Sequence, residues 1–259
     1  MIDFSPVTEV AGSRATREQL AMIQTRYAEG ARRARDRRVL EVGCGAGRGL
    51  GLIERAARQA VGGDFTFSLL QRARAHYGAR VPLAQFDAQA LPFAAGAFDL
   101  VLLFEAIYYL PDAARFVREC RRVLAPGGEL FICSANCDAP GFTGSSLATR
   151  YLAARDIRAL LAAEGFETEL KAAFPARRAG LAAHGVSALR RAAVALHVVP
   201  STLRGREWLK RAFYGPLTRL APEIGERDAP AAPLVPIDAA GADRPLREFR
   251  VIYAFGHLR

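Results

Sequence analysis

The chain has 259 residues, 51% of them hydrophobic, and a net charge of +10 with a pI near 10.1. That length and apolar fraction suit one large α/β domain with room for an insertion, not a disordered or fibrous chain. No run reaches about 18 apolar residues, so no transmembrane helix is expected. Met1 to Glu9 carries acids and lacks an apolar core, so no secretory signal is expected there. Cys44, Cys120, Cys133 and Cys137 form no C-x-x-C pair, which argues against a zinc or iron–sulfur set and for reduced thiols in a cytoplasmic protein. Lys171 and Lys210 are the only lysines. The arginines are scattered, which suits solvated faces better than a nucleic-acid footprint; no basic–aromatic motif accompanies them.

Residues 1–15 read as irregular. Thr16 and Gln19 have capping-box spacing, and Leu20, Ile23 and Tyr27 recur on one face, predicting a helix to about Ala34. Val39 to Val42 is a short apolar strand leading into Gly43-Cys44-Gly45-Ala46-Gly47, and a helix is expected from Arg48 to about Gln59. Strand, glycine turn and helix open a doubly wound α/β domain. Ala60 to Asp64 reads as the second strand. Asp64 falls about 20 residues after Gly43, where a carboxylate meets a ribose diol. A dinucleotide fold and an S-adenosylmethionine (SAM) fold share this pattern. The dinucleotide fingerprint G-x-G-x-x-G would need glycine at Arg48; here the third glycine comes one residue earlier.

Further helices are expected from Ser68 to about His76, from about Asp112 to Leu124, and from Arg155 to Glu164, the last stopped by Gly165. Val81 to Phe86 reads as a strand ending at Asp87. Phe98 to Phe104 is a continuous apolar run, as a central parallel strand should be. Ala125 to Gly128 reads as a turn, Glu129 to Cys133 as the fifth strand, Phe166 to Phe174 as the sixth and Glu248 to Phe255 as the seventh. About 70 residues separate the last two, too many for a structureless connection. Helices are expected over Ser187 to His197 and Leu203 to Leu220, and a loop over Asp228 to Pro245.

The Val39–Gly47 segment resembles motif I of the class I SAM-dependent methyltransferases. The run FDLVLLFEAIYYLPDAARFVRECRRVLAPGGELFI resembles their motifs IV to VI, so residues 39–134 carry the likeness. It implies a Rossmann-like seven-stranded sheet with an antiparallel last strand and a helical insertion between strands six and seven. The core is then 1–174 plus 246–259. The insertion is 175–245, with Arg177 to Arg227 as an acceptor-side cap carrying Trp208, Phe213 and Tyr214, or alternatively an interface or a basic membrane-facing surface. The resemblance implies SAM as cofactor, S-adenosylhomocysteine (SAH) as product, and no metal. It sets Glu41 and the Gly43, Gly45 and Gly47 loop toward the methionine moiety. Asp64 then meets the ribose, Phe65 and Asp87 with the Ala88 backbone meet the adenine, and Phe104 lies beside the methionine part. Tyr27 has two readings, an aromatic closing over the methionine end or core packing. Glu105 is the candidate base, with Tyr108 and Tyr109 lining the acceptor. His184 and His197 read as structural.

The function this implies is methyl transfer to oxygen of a small-molecule or glycan/lipid-intermediate acceptor. An RNA methyltransferase and a non-catalytic SAM-binding protein are the alternatives. Phe104-Glu105-Ala106 stands where base-amine methyltransferases carry an Asn/Asp-Pro-Pro-aromatic motif, which speaks against nucleic acid.

Overall fold

The computed structural model describes residues 3–176, 217–225 and 228–258. Among the described residues ten strands are present: β1 (Arg14–Ala15), β2 (Arg38–Val42), β3 (Gln59–Asp64), β4 (Leu83–Gln85), β5 (Phe98–Phe104), β6 (Leu124–Ala135), β7 (Phe166–Pro175), β8 (Thr218–Arg219), β9 (Val235–Ile237) and β10 (Phe249–Leu258). The helices are α1 (Arg17–Ala34), α2 (Leu50–Ala56), α3 (Phe67–Tyr77), α4 (Ala113–Val123), α5 (Ala154–Ala163) and a single turn, α6 (Ala239–Ala242).

Eight strands form the main sheet in the order β4-β3-β2-β5-β6-β10-β7-β9. β2 to β6 run parallel, and β10 runs antiparallel between β6 and β7. The order reverses between β2 and β5, so a crevice opens at the carboxyl ends of those two strands, where such sheets take ligands. Strand alternation divides the core. Leu40, Val101, Leu103, Leu130 and Ile132 face the α4–α5 side; Val39, Leu100, Leu102 and Phe131 face the α1–α2 side. Gly30 lets α1 approach closely: a Cβ there would lie 3.1 Å from Ile53 Cδ1 and 3.2 Å from the Phe104 ring.

Local signals explain the element ends. Thr16 caps α1 by accepting from Gln19 N at 3.1 Å, and the Gln19 side chain accepts from Thr16 N at 2.9 Å. Asp112 caps α4 through Arg115 N at 2.9 Å. Gly165 ends α5 at φ +80.

Four expectations need correction. The helix after the glycine loop spans only Leu50–Ala56, because Arg58 N turns to donate to Arg37 O at 2.9 Å and leads into β3. The turn at Ala125–Gly128 lies inside β6, as an irregularity against β5 between Phe98 and Leu100. The sheet has an eighth strand, β9, antiparallel to β7, within a stretch that reads as loop. Pro236 is tolerated there because an edge strand has one unpaired side. Thr218 and Arg219, expected to be helical, instead pair with Ala15 and Arg14 of the N-terminal segment. The expected helix 187–197, His184 and His197, and Trp208, Phe213 and Tyr214 lie outside the described residues. Among the described residues no helix is long and apolar enough to cross a membrane, and all four cysteines are free.

Candidate active site

At the sheet's switch point lies a cavity of about 660 Å³. Its floor is the turn after β2. Gly43 and Gly45 have φ +70 and +57, and a Cβ at Gly45 would sit 2.8 Å from Thr8 Cγ2. Glycine is therefore required there both for conformation and for room. Gly47 is different. It does not line the cavity; a Cβ there would lie 2.8 Å from the Tyr77 ring, whose hydroxyl donates to Gly47 O at 2.7 Å.

Asp64 closes β3 and is 8% exposed. Its Oδ2 accepts from Gly45 N and its Oδ1 from Thr66 N, both at 2.8 Å. Burial raises its pKa against the pull of those backbone donors. Phe65, Asp87 and Ala88 line the same end of the cavity. Asp87 is exposed and accepts from Gln89 N at 2.9 Å.

Tyr27 and Phe104 meet edge-on at 5.1 Å and both line the cavity. The Tyr27 hydroxyl donates to Glu41 Oε1 at 2.6 Å. Glu41 lies behind this wall, 1% exposed, because strand alternation turns it toward α1. Burial pushes it up to about 7 against that hydrogen bond and nearby Arg26, and its Oε2 has no partner.

Glu105 follows β5 at φ +53, a strained conformation for a non-glycine residue. Its N–H donates to Cys133 O at 2.8 Å, which ties the end of β5 to β6. Its Oε2 accepts from Ala135 N at 3.2 Å and from the Tyr108 hydroxyl at 2.9 Å. Burial raises the Glu105 pKa despite Arg26 and Tyr108, and burial together with Glu105 raises that of Tyr108. Tyr108 therefore stays a proton donor to this carboxylate.

The structure thus brings Tyr27, Gly43, Gly45, Asp64, Phe65, Asp87, Ala88, Phe104, Glu105 and Tyr108 to one cavity, and leaves Glu41 and Gly47 behind its wall. It also adds residues that carry no local sequence signal. Phe4, Thr8 and Glu9 come from the segment expected to be irregular, Arg26 and Arg48 from helix and loop, Phe142 from the loop after β6, and Arg250 from β10. Arg26 is 7% exposed and ion-paired with Glu9, while its Nε has no partner. Arg48, 4% exposed, has unpartnered Nε and Nη1, and burial lowers its pKa. Among the described residues no group of three or more His, Cys, Asp or Glu could hold a metal ion.

Residues 40–132 match the methyltransferase domain of the family Methyltransf_11. A probable S-adenosylmethionine-dependent methyltransferase of Mycolicibacterium smegmatis is 37% identical over 147 residues, 55% of this chain and 57% of that protein. A ubiquinone biosynthesis O-methyltransferase of Methylococcus capsulatus is 32% identical over 120 residues, 45% of this chain and 51% of that protein. The chain thus spans little more than half the length of these relatives. The crystal structure of the cyclase SpnF superposes with a TM-score of 0.61 over 97% of this chain and 87% of that one, at 19% identity, a likeness of fold alone. Residues 40–132, and the sheet that carries them, are thus similar to the methyltransferase domain of SAM-dependent methyltransferases.

Proposed function

We propose that the protein binds SAM in this cavity and methylates an oxygen atom of a small-molecule acceptor. The observation that carries the reading is one cavity whose walls hold both Asp64 with its glycine turn and the Glu105–Tyr108 pair.

The residues fit the cofactor. Each Asp64 oxygen accepts one backbone N–H, and a carboxylate oxygen has a further lone pair for a ribose hydroxyl. Gly43 and Gly45 present bare backbone. Phe65, Asp87 and Ala88 supply a ring, an acceptor and a backbone edge for adenine. Tyr27 and Phe104 wall the methionine end. Asp64 and Glu105 put carboxylates on the cavity wall, which suits a sulfonium. When bound, SAM supplies an electrophilic methyl group on a good leaving group. The chain's own contribution is then placement, since holding reactants in line supplies roughly 7–11 kcal/mol. Glu105 provides a carboxylate oxygen that takes the proton of an arriving hydroxyl. The named activity of the Methylococcus capsulatus relative supports an oxygen acceptor.

Calorimetry with SAM and SAH tests the cofactor. Asp64→Ala is expected to weaken both by about 2–4 kcal/mol, two charge-assisted hydrogen bonds. Tight NAD binding, or no SAM binding by folded wild type, would end the reading. Glu105→Gln is expected to lower turnover roughly a hundredfold with SAM affinity little changed, since a base acts in the transition state. An unaltered pH–rate profile in that variant removes Glu105 from the role.

A further inference from the structure

One wall of the cavity differs in composition from the rest. A chain of aromatic rings runs along it. Phe65 meets Phe4 edge-on at 6.5 Å, Phe4 meets Tyr109 at 5.1 Å, and Tyr109 meets Tyr108 at 4.6 Å. Tyr108 stacks on Tyr151 at 4.3 Å with planes 24° apart, and Phe142 meets Tyr151 edge-on at 4.6 Å. Phe142, Tyr108 and Tyr109 face the cavity, while Tyr151 backs them. Backbone bonds hold this wall in place. The Tyr108 carbonyl accepts from Thr149 N at 2.8 Å and Arg150 N at 3.2 Å, and the Tyr151 hydroxyl accepts from Ser145 N at 2.9 Å.

At the inner end of the wall stands Glu105, hydrogen-bonded to Tyr108. Of the arginines that line the cavity, Arg26 acts on Glu105 and is already paired with Glu9, Arg250 is paired with Glu18, and Arg48, with two unpartnered nitrogens, lies by Glu9 and Tyr27. The wall therefore offers ring faces and a carboxylate. Resting on the function proposed above, we infer that the acceptor is a neutral aromatic hydroxyl compound, a phenol, with its ring along Phe142, Tyr108 and Tyr109 and its hydroxyl at Glu105.

Three physical arguments lead there. Ring–ring contacts favour a planar aromatic guest over an alkyl chain of equal area. A carboxylate at the reacting end disfavours a second anion, so a carboxylic acid is a poor acceptor while a hydroxyl donor is a good one. A phenol O–H has a pKa of about 10, far closer to a carboxylate base than an alkyl alcohol is. In the transfer, the phenol proton passes to a Glu105 oxygen and a lone pair of the phenol oxygen forms the new C–O bond. The C–S pair stays on sulfur as the neutral thioether, and the proton then leaves Glu105 for solvent.

Binding can be read without turnover. With SAH saturating, 2-naphthol is titrated by fluorescence, and octanoate and 1-octanol by calorimetry. The expected result is 2-naphthol binding at least about tenfold more tightly than either aliphatic probe, and about tenfold more weakly in Phe142→Ala, with SAH affinity unchanged. Glu105→Gln should narrow the gap between 2-naphthol and octanoate, because the repelled charge is gone. If Phe142→Ala does not fold, Phe142→Leu keeps the bulk, removes the ring face and should show the same loss. Octanoate or octanol binding as tightly as 2-naphthol overturns the proposal, as does a Phe142 variant with full 2-naphthol affinity. Failure of SAH itself to bind overturns the cofactor reading beneath it, a distinct result.

Discussion

The two edges of the main sheet hold acids of opposite character. At the amino edge, Asp99 accepts from Arg38 through N at 2.8 Å, Nε at 3.1 Å and Nη2 at 2.7 Å. The Arg38 hydrogen bonds hold it at about 2, overcoming its slight burial. Near it Glu129, 3% exposed, lies between Arg33 and Arg37. At the carboxyl edge burial wins. Glu41 rises to about 7, and Asp64 and Glu105 rise too. Glu41 Oε2, Arg26 Nε and two nitrogens of Arg48 are buried there without partners, and Glu105 holds a positive φ. One end of the sheet matches its charges and gains stability. The other leaves polar groups unsatisfied, which costs stability and leaves them free for a ligand.

The largest effect expected from breaking this contrast is at the amino edge. Glu129→Ala leaves Arg37 unpaired and Arg33 with Glu29 as its close partner, at 2.7 Å. Breaking a buried pair from one side typically costs about 3–5 kcal/mol, and Glu29 keeps the loss near the lower figure. Denaturant unfolding should show a lower midpoint with an unchanged slope. A loss under about 1 kcal/mol would mean that water screens this pair as it does surface pairs.

Glu41→Gln tests the opposite edge and should stabilise rather than destabilise. A folded-state pKa near 7 against an ordinary 4.5 means that the folded chain binds more protons than the unfolded one between those values. Wild-type stability therefore falls as pH rises through that window, by at most about 3 kcal/mol from this group. Glutamine keeps an oxygen for the Tyr27 hydroxyl and removes the charge. Unfolding measured at intervals from pH 5 to 8 should show a flatter slope in the variant, with the residual slope due to Asp64 and Glu105. An unchanged slope would mean that Glu41 stays ionised in the fold.

The same contrast governs what could be read from the sequence. The strands of the parallel half, the capping box at Thr16, the Gly165 stop and the acids at strand ends all rest on local or periodic signals, and they appear where those signals place them. Strand alternation gives the face a side chain takes, but not what it meets there or whether it reaches the cavity. Glu41 stands at the site edge yet turns to Tyr27, and Gly47 serves Tyr77 instead of the cavity. Phe4, Glu9, Arg26, Phe142 and Arg250 reach the cavity only through tertiary packing, from segments far apart in the chain. The edge strand β9 is short and contains Pro236, so its composition reads as loop.

Glu223 offers the smallest effect and the sharpest control, because it is a paired acid on the flank of the site-bearing loop. Its neighbour Ile224 donates to Arg48 O at 2.9 Å. Glu223 accepts from Arg55 at 2.6 Å, lies 3.0 Å from His76 Nε2 and pairs with Arg80, so it ties this segment to α2 and α3. Burial pushes its pKa up, but the hydrogen bonds from Arg55, His76 and Arg80 reverse that and hold it at about 2. Its contribution is therefore fully present above pH 4.5 and is lost as pH falls toward 2, the reverse of Glu41. The partners are substantially exposed, 43% for Arg55 and 44% for Arg80, so solvent weakens the cluster. Glu223→Ala should cost about 1 kcal/mol, or about 2–4 °C in Tm, at pH 7 and almost nothing at pH 2. Such a result would show that pairing, and not nearness to the carboxyl edge, decides which acids stay low. Equal destabilisation at both pH values would assign the loss to packing against Gly51 instead, where the carboxylate sits close enough to exclude a Cβ.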